Sequence, residues 1–175
     1  DKTLMHRMKV NDAEKIQAEI GNRSVIMLTA HFGPWEAGST VSLVVPDQTF
    51  VAVYHKLTNP VIDELMKRIR SHTNVELVDM KRTMRHFVDN RDKRPMAMGL
   101  IADQNPVLRA NMHWYKFLHQ WTAFFEGGET LALKYHLPVY YFSPRRISAG
   151  HYEASFTLIY DGDSPIAAGE ITERY

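Results

Sequence analysis

Apolar positions along this chain alternate between short unbroken runs and a helical spacing. The run Val25-Ile26-Met27-Leu28-Thr29 predicts a strand buried on both faces. Before it, Asn11-Asp12-Ala13-Glu14 has the spacing of a capping box, which predicts a short helix that Gly21 closes. After it comes a loop over 30–33, and Pro34 suits the first position of a helix reaching about Val45, just before Pro46. Strands are predicted over 50–54, 75–78, 96–102, 139–142 and 152–160, the last with alternating Tyr152, Ala154, Phe156, Leu158 and Tyr160. Helices are predicted over 83–90 and 129–135. Another starts at Asn59-Pro60 and carries Ile62, Leu65, Met66 and Ile69 at helical spacing. Strands and helices in alternation predict an α/β domain, layered helix–sheet–helix, with a mixed, largely parallel sheet. Such sheets place their sites where loops leave the carboxyl ends of strands.

Length and composition narrow the picture without changing it. At 175 residues, with 45% hydrophobic and 23% charged positions, the chain fits one globular domain, and no linker or repeat divides it. The absence of cysteine excludes thiolate nucleophiles, disulfides and thiolate metal sites. Lys and Arg total 21 against 20 Asp and Glu, so no global basic field points to nucleic acid. No apolar run approaches the roughly 20 residues that cross a bilayer. The sequence starts at Asp1 rather than Met and is expected to be a piece of a longer protein.

The segment with most chemical content is Ala30-His31-Phe32-Gly33-Pro34-Trp35-Glu36, at the end of a predicted strand. With Pro34 opening a helix, Glu36 falls in its first turn, within reach of the residues before it. A carboxylate on one imidazole nitrogen fixes the tautomer and raises the basicity of the other, which suits His31 for taking a proton from a hydroxyl. Free N–H groups near Gly33 are candidates to receive an oxyanion or phosphate. On that reading His31 is a general base and Glu36 its orienter in acyl transfer to an alcohol. The competing reading makes His31 a capping or core histidine and Glu36 an ordinary first-turn acid stabilised by the helix dipole.

These residues resemble the His-x4-Asp/Glu motif of the lysophospholipid acyltransferase superfamily, in particular its lipid A biosynthesis (lauroyl/myristoyl) branch. Val53-Tyr54-His55-Lys56-Leu57 followed by Asn59-Pro60 is similar to that branch's second block, and Gly99-Leu100-Ile101-Ala102-Asp103-Gln104 to its third. The segment 122–133 resembles the next, and the blocks run in order over about 24–159. The resemblance implies a glycerolphosphate-acyltransferase-like fold. It also implies transfer of an acyl chain from acyl carrier protein, or from coenzyme A, to a hydroxyl of a lipid A precursor. The place would be the cytoplasmic face of the inner membrane of a Gram-negative bacterium. His31 and Glu36 become the catalytic residues. Phe32, Gly33, Trp35, Tyr54, His55, Lys56, Asp103 and Gln104 become substrate-side residues. The branch usually has Arg and Pro where this chain has His55 and Lys56, leaving Lys56 as the cation for a phosphate or thioester oxygen. A membrane helix before this domain and an extension after it are also implied.

The remaining features carry two readings each. Basic clusters at Lys67-Arg68-Arg70, Lys81-Arg82-Arg85, Arg91-Lys93-Arg94 and Arg145-Arg146 either meet phosphates, anionic headgroups or an acidic carrier protein, or are solvated faces. The aromatic stretch Trp114, Tyr115, Phe117, Trp121, Phe124 and Phe125 is expected to be mostly core, with an acyl channel or membrane interface as the alternative. The histidines show no metal spacing, so no metal and no cofactor beyond the acyl thioester is expected. Two rivals stay open: a related glycerophospholipid or glycolipid acyltransferase or thioesterase, and a non-catalytic lipid-binding domain.

Overall fold

The computed structural model of the chain describes residues 6–35, 40–71, 75–107 and 112–175. Nine strands are found among them: β1 (Met8–Val10), β2 (Val25–Thr29), β3 (Thr49–Tyr54), β4 (Val75–Asp79), β5 (Met96–Ile101), β6 (Trp114–Phe117), β7 (Gln120–Ala123), β8 (Val139–Ser148) and β9 (His151–Tyr160). The helices are α1 (Ala13–Ile20), α2 (Val41–Val44), α3 (Pro60–Arg70), α4 (Thr83–Asn90), α5 (Gly127–Tyr135) and α6 (Glu170–Arg174). Seven strands form one sheet in the order β1-β9-β8-β2-β5-β3-β4, and β6 and β7 form a separate hairpin. From β8 to β4 all neighbours are parallel; only β8 and β9 pair antiparallel, with β1 parallel to β9 beyond. The chain is thus the layered α/β domain that its sequence predicts.

Alternation along β2 feeds two cores. Val25 and Met27 pack with Ile16, Ile20, Val41 and Phe50 on one face of the sheet, and Ile26 and Leu28 with Phe87, Leu131, Ala132 and Ile171 on the other. All five residues of β2 are buried, as expected of a central parallel strand covered by helices on both sides.

Several local expectations change. Asp12 sits at a left-handed φ of 55° and makes no side-chain cap hydrogen bond, so α1 starts without the predicted box; Gly21 does close it, at φ 54°. The helix predicted from Pro34 shows within the described residues only as a short turn at Trp35 and as α2, which ends before Pro46. In β9 the predicted alternation breaks near its end. A register shift between Val139 and Tyr140 of β8 puts Leu158 in solvent and buries both Ile159 and Tyr160. The periodicity of α3 is helical, as predicted, and the Asn59 side chain accepts from the N–H groups of Val61 and Ile62. Its apolar stripe, however, points outward: Val61, Ile62, Leu65 and Ile69 are exposed while Asp63 is buried.

Candidate active site

Register brings the site together. β2 and β5 are parallel neighbours with Thr29 opposite Ile101, so the residues two beyond each, His31 and Asp103, leave the sheet side by side. His31 Nδ1 lies 2.8 Å from Asp103 Oδ1, and the His31 backbone N–H donates to Asp103 Oδ2, also at 2.8 Å. One carboxylate therefore fixes both the main chain and the ring. An ionised carboxylate only accepts, so the neutral ring holds its proton on Nδ1 and presents a lone pair at Nε2. Both side chains remain partly exposed, so that lone pair belongs to a site that substrate can reach.

The surroundings hold this arrangement from below and from one side. The Trp35 ring meets the His31 ring edge-on, with centroids 4.8 Å apart, and the Arg70 guanidinium lies 5.6 Å from the Trp35 ring centre. This places the last turn of α3 beside the histidine loop. Phe32 N–H donates to Ala30 O across a tight turn, which leaves the Phe32 ring largely in solvent beside His31. Gly33 follows at φ 59°, a conformation that favours glycine. Beneath, Tyr175 Oη donates to Thr29 O at 2.6 Å and Thr29 Oγ1 donates to Phe142 O at 3.0 Å. Burial, with the Asp103 charge adding to it, pushes the Tyr175 phenol well above its ordinary pKa and keeps it a donor.

The second block lies at the end of β3, one strand beyond β5. His55, Lys56, Leu57 and Thr58 line a cleft of about 370 Å³ with Asp79 and Lys81. Asp63 organises this loop from α3: its carboxylate accepts from Leu57 N–H at 2.9 Å and pairs with Lys67 at 2.7 Å. The Lys67 hydrogen bond, with that of Leu57, holds the Asp63 carboxyl below its usual range. Lys67 also lies 5.9 Å from the Tyr54 ring centre. Lys56 and Lys81 are thus two cations on one cleft, and the Asp79 carboxylate accepts from Lys81 N–H and caps the turn. Another cleft, lined by Arg23, Ser24, His136 and Leu137 among others, lies at the opposite, amino-terminal edge of β2 and β8.

Of the residues singled out in the sequence, His31, Phe32, Gly33, Trp35 and Asp103 converge here, with Gln104 exposed next to Asp103. Tyr54, His55 and Lys56 form the neighbouring group. Glu36 lies outside the described residues. The pairing of Asp103 with the ring goes beyond what the sequence implies, where Asp103 stands only among the substrate-side residues. Its signal is the adjacency of β2 and β5, which sequence spacing does not carry.

The aromatic stretch is not mostly core. Trp114, Phe117 and Trp121 are exposed on the β6–β7 hairpin, which is held at its base by Tyr115. A second histidine pair also appears, between His113 Nδ1 and Glu126 Oε1 at 2.7 Å. Among the described residues no three His, Asp or Glu side chains converge as a metal site, and no helix is long and apolar enough to cross a membrane.

The family described as bacterial lipid A biosynthesis acyltransferase matches residues 1–167, nearly the whole chain. The chain belongs to that family. As a lipid A biosynthesis acyltransferase it is an O-acyltransferase, and a lipid A precursor and an acyl donor are its substrates by class. Among curated proteins none matches the chain. The fold agrees with the assignment, since the histidine loop of this acyltransferase sits at the carboxyl ends of parallel strands in a layered α/β domain.

Proposed function

We propose that this acyltransferase moves a fatty acyl chain from a thioester, of acyl carrier protein or coenzyme A, to a hydroxyl of a lipid A precursor, with His31 as general base. The observation that carries the reading is the Asp103 carboxylate on His31 Nδ1. His31 Nε2 takes the hydroxyl proton while the oxygen attacks the thioester carbonyl. The tetrahedral intermediate then collapses, the C–S bond breaks, and the leaving thiolate takes the proton from the imidazolium. Asp103 holds the ring in place and stabilises the imidazolium between these steps. Lys56 and Lys81, on the adjacent cleft, are suited to a phosphate of the acceptor. Glu36, four residues before Thr40 and outside the described residues, is the alternative orienter that the family resemblance favours. The exposed Phe32 and the outward apolar stripe of α3 supply hydrocarbon-friendly surface near the histidine. On this proposal the reaction runs at the cytoplasmic face of the inner membrane, as the family resemblance implies.

The test is acyl transfer read by mass spectrometry, with acyl carrier protein and coenzyme A donors and a lipid A precursor. General-base catalysis is worth roughly 10² to 10⁴ in rate, so His31→Ala should lose at least that much while staying folded. A folded His31→Ala protein with near-normal turnover would sink the mechanism.

A further inference from the structure

The β6–β7 hairpin presents apolar surface that folding does not use. Residues opposite each other in an antiparallel ladder share a face, so the pairs Trp114 with Ala123 and Lys116 with Trp121 put both tryptophans and Lys116 on one side. Trp121 is 71% exposed, and at the tip Leu118 is 75% exposed. The other side is the rooted one. Tyr115 donates to Gly169 O at 3.0 Å, and the Tyr115 and Phe117 rings meet Phe124 edge-on at 6.0 and 5.6 Å.

The tip is costly twice over. Leu118 and His119 form a two-residue turn with φ of 46° and 67°, the backbone of a turn that Asn-Gly adopts at least strain. Leucine there gains no burial in exchange for the left-handed conformation. A side chain that is strained and exposed in the isolated fold is explained by something outside the fold that takes it up.

We infer that the β6–β7 hairpin inserts its tip into the interfacial region of an anionic lipid bilayer, with Leu118 deepest, Trp114 and Trp121 at headgroup level and Lys116 against the negative surface. Tryptophan has this preference because its ring is apolar with one N–H donor. Lys116 is the only formal charge between residues 112 and 123, so nothing acidic on the ribbon opposes an anionic surface. The geometry also favours lipid over a protein partner. A ribbon of four residues per strand is about 14 Å long with strands about 5 Å apart, so its face offers on the order of 10² Å². Specific protein interfaces bury about 800 Å² on each side, whereas a bilayer accepts a narrow wedge.

The inference deepens the acyl-transfer reading, because it names the surface that would bring the domain to a lipid acceptor. The test measures partitioning of the chain onto phosphatidylcholine vesicles with and without phosphatidylglycerol, together with tryptophan quenching by brominated acyl chains. Wild type should sediment with the anionic vesicles and be quenched, and Trp121→Phe should reduce the quenching. The double variant Leu118→Asn, His119→Gly relieves the turn, so its melting temperature should hold or rise while its vesicle partitioning falls about tenfold or more. Equal partitioning of the two proteins, or wild type left in the supernatant, overturns the inference. So does self-association of wild type that the double variant abolishes, which would assign the tip to a second copy. His31→Ala should bind vesicles as wild type does. A failed vesicle experiment therefore leaves the reaction standing, and a failed transfer experiment leaves the lipid contact standing.

Discussion

Two histidines in this acyltransferase are gripped the same way. Asp103 takes the ring and the backbone N–H of His31, and Glu126 takes the ring of His113 at 2.7 Å and its backbone N–H at 3.3 Å. Exposure does not separate the pairs, since His113 is the more open of the two. What separates them is what else each pair holds. Asp103 spends one oxygen on each donor of His31, at the ends of two parallel strands. Glu126 uses a single oxygen for the ring and backbone of His113 and for the Tyr115 hydroxyl, and Tyr115 in turn reaches Gly169. A Cβ at Gly169 would stand 3.1 Å from the His113 ring and from Tyr115 Oη, so His113 and Tyr115 lie directly over the glycine that precedes α6. A histidine–carboxylate pair is therefore not a catalytic feature by itself. His31 stands at the strand ends where an α/β sheet keeps its chemistry, and His113 fastens a hairpin to the helix that closes the fold.

The widest gap between the pairs should appear in activity. His31→Ala is expected to cost at least about 10² in kcat/KM, and His113→Ala less than about threefold. Comparable losses in the two variants, with both proteins folded, would dissolve the distinction. The carboxylates sharpen it further. On the proposed mechanism Asp103→Asn keeps the shape but removes the charge assigned to stabilising the imidazolium, so a loss of about 10² or more is expected, most of it in kcat. Glu126→Gln should leave kcat near wild type. Glu36→Gln belongs in the same series: a large loss there with Asp103→Asn near wild type would return the orienting role to Glu36.

How much of this was legible follows from where each signal resides. β2 and α4 are readable to the residue, because four apolar residues in a row closed by a threonine and a regular helical stretch are local patterns. The candidate base was legible as well, since His31, Gly33, Pro34 and Trp35 lie together in sequence. Its partner was not, because 72 residues separate His31 from Asp103 and only the β2–β5 register joins them. The hairpin is hidden in the sequence for another reason: Leu118-His119 adopts positive φ without the glycine or asparagine that announces such a turn. β1, at three residues on the sheet edge, and α6, at five, are too short for any periodicity to show. In α3 the period is legible in the sequence and the direction of the stripe is not. The buried Asp63, tied to Lys67 and to Leu57 N–H, turns the helix so that its apolar stripe faces out.

The latch side of the comparison should show itself in stability. Glu129 is buried in the first turn of α5 and accepts from the N–H groups of Gly169 and Thr172 and from the Thr172 hydroxyl. Glu129→Ala strands those buried donors, each worth about 1–3 kcal/mol when unmet, so a loss of about 2–4 kcal/mol in denaturant unfolding is expected. Activity should fall only as far as α6 detaches, because Tyr175, just after α6, supports the Thr29 carbonyl beneath His31. Full stability in Glu129→Ala would show that the hairpin contacts through Tyr115 hold α6 without it.

The smallest effect lies in the segment that leads from β9 to α6. Asp161 accepts from the N–H groups of Asp163 and Ser164 and from the Ser164 hydroxyl, and these bonds, the hydroxyl's first, hold its carboxyl down to about 2. A carboxyl lowered by folding stabilises the fold fully above its ordinary value near 4, and that contribution fades as pH falls through about 2. Asp161→Asn keeps the side chain's size and an acceptor oxygen but not the charge. Its stability deficit against wild type should therefore be greatest at neutral pH and close as the pH approaches 2. A deficit that stays constant over that range would mean that the shape of the turn, rather than the ionised carboxylate, positions the chain for the latch.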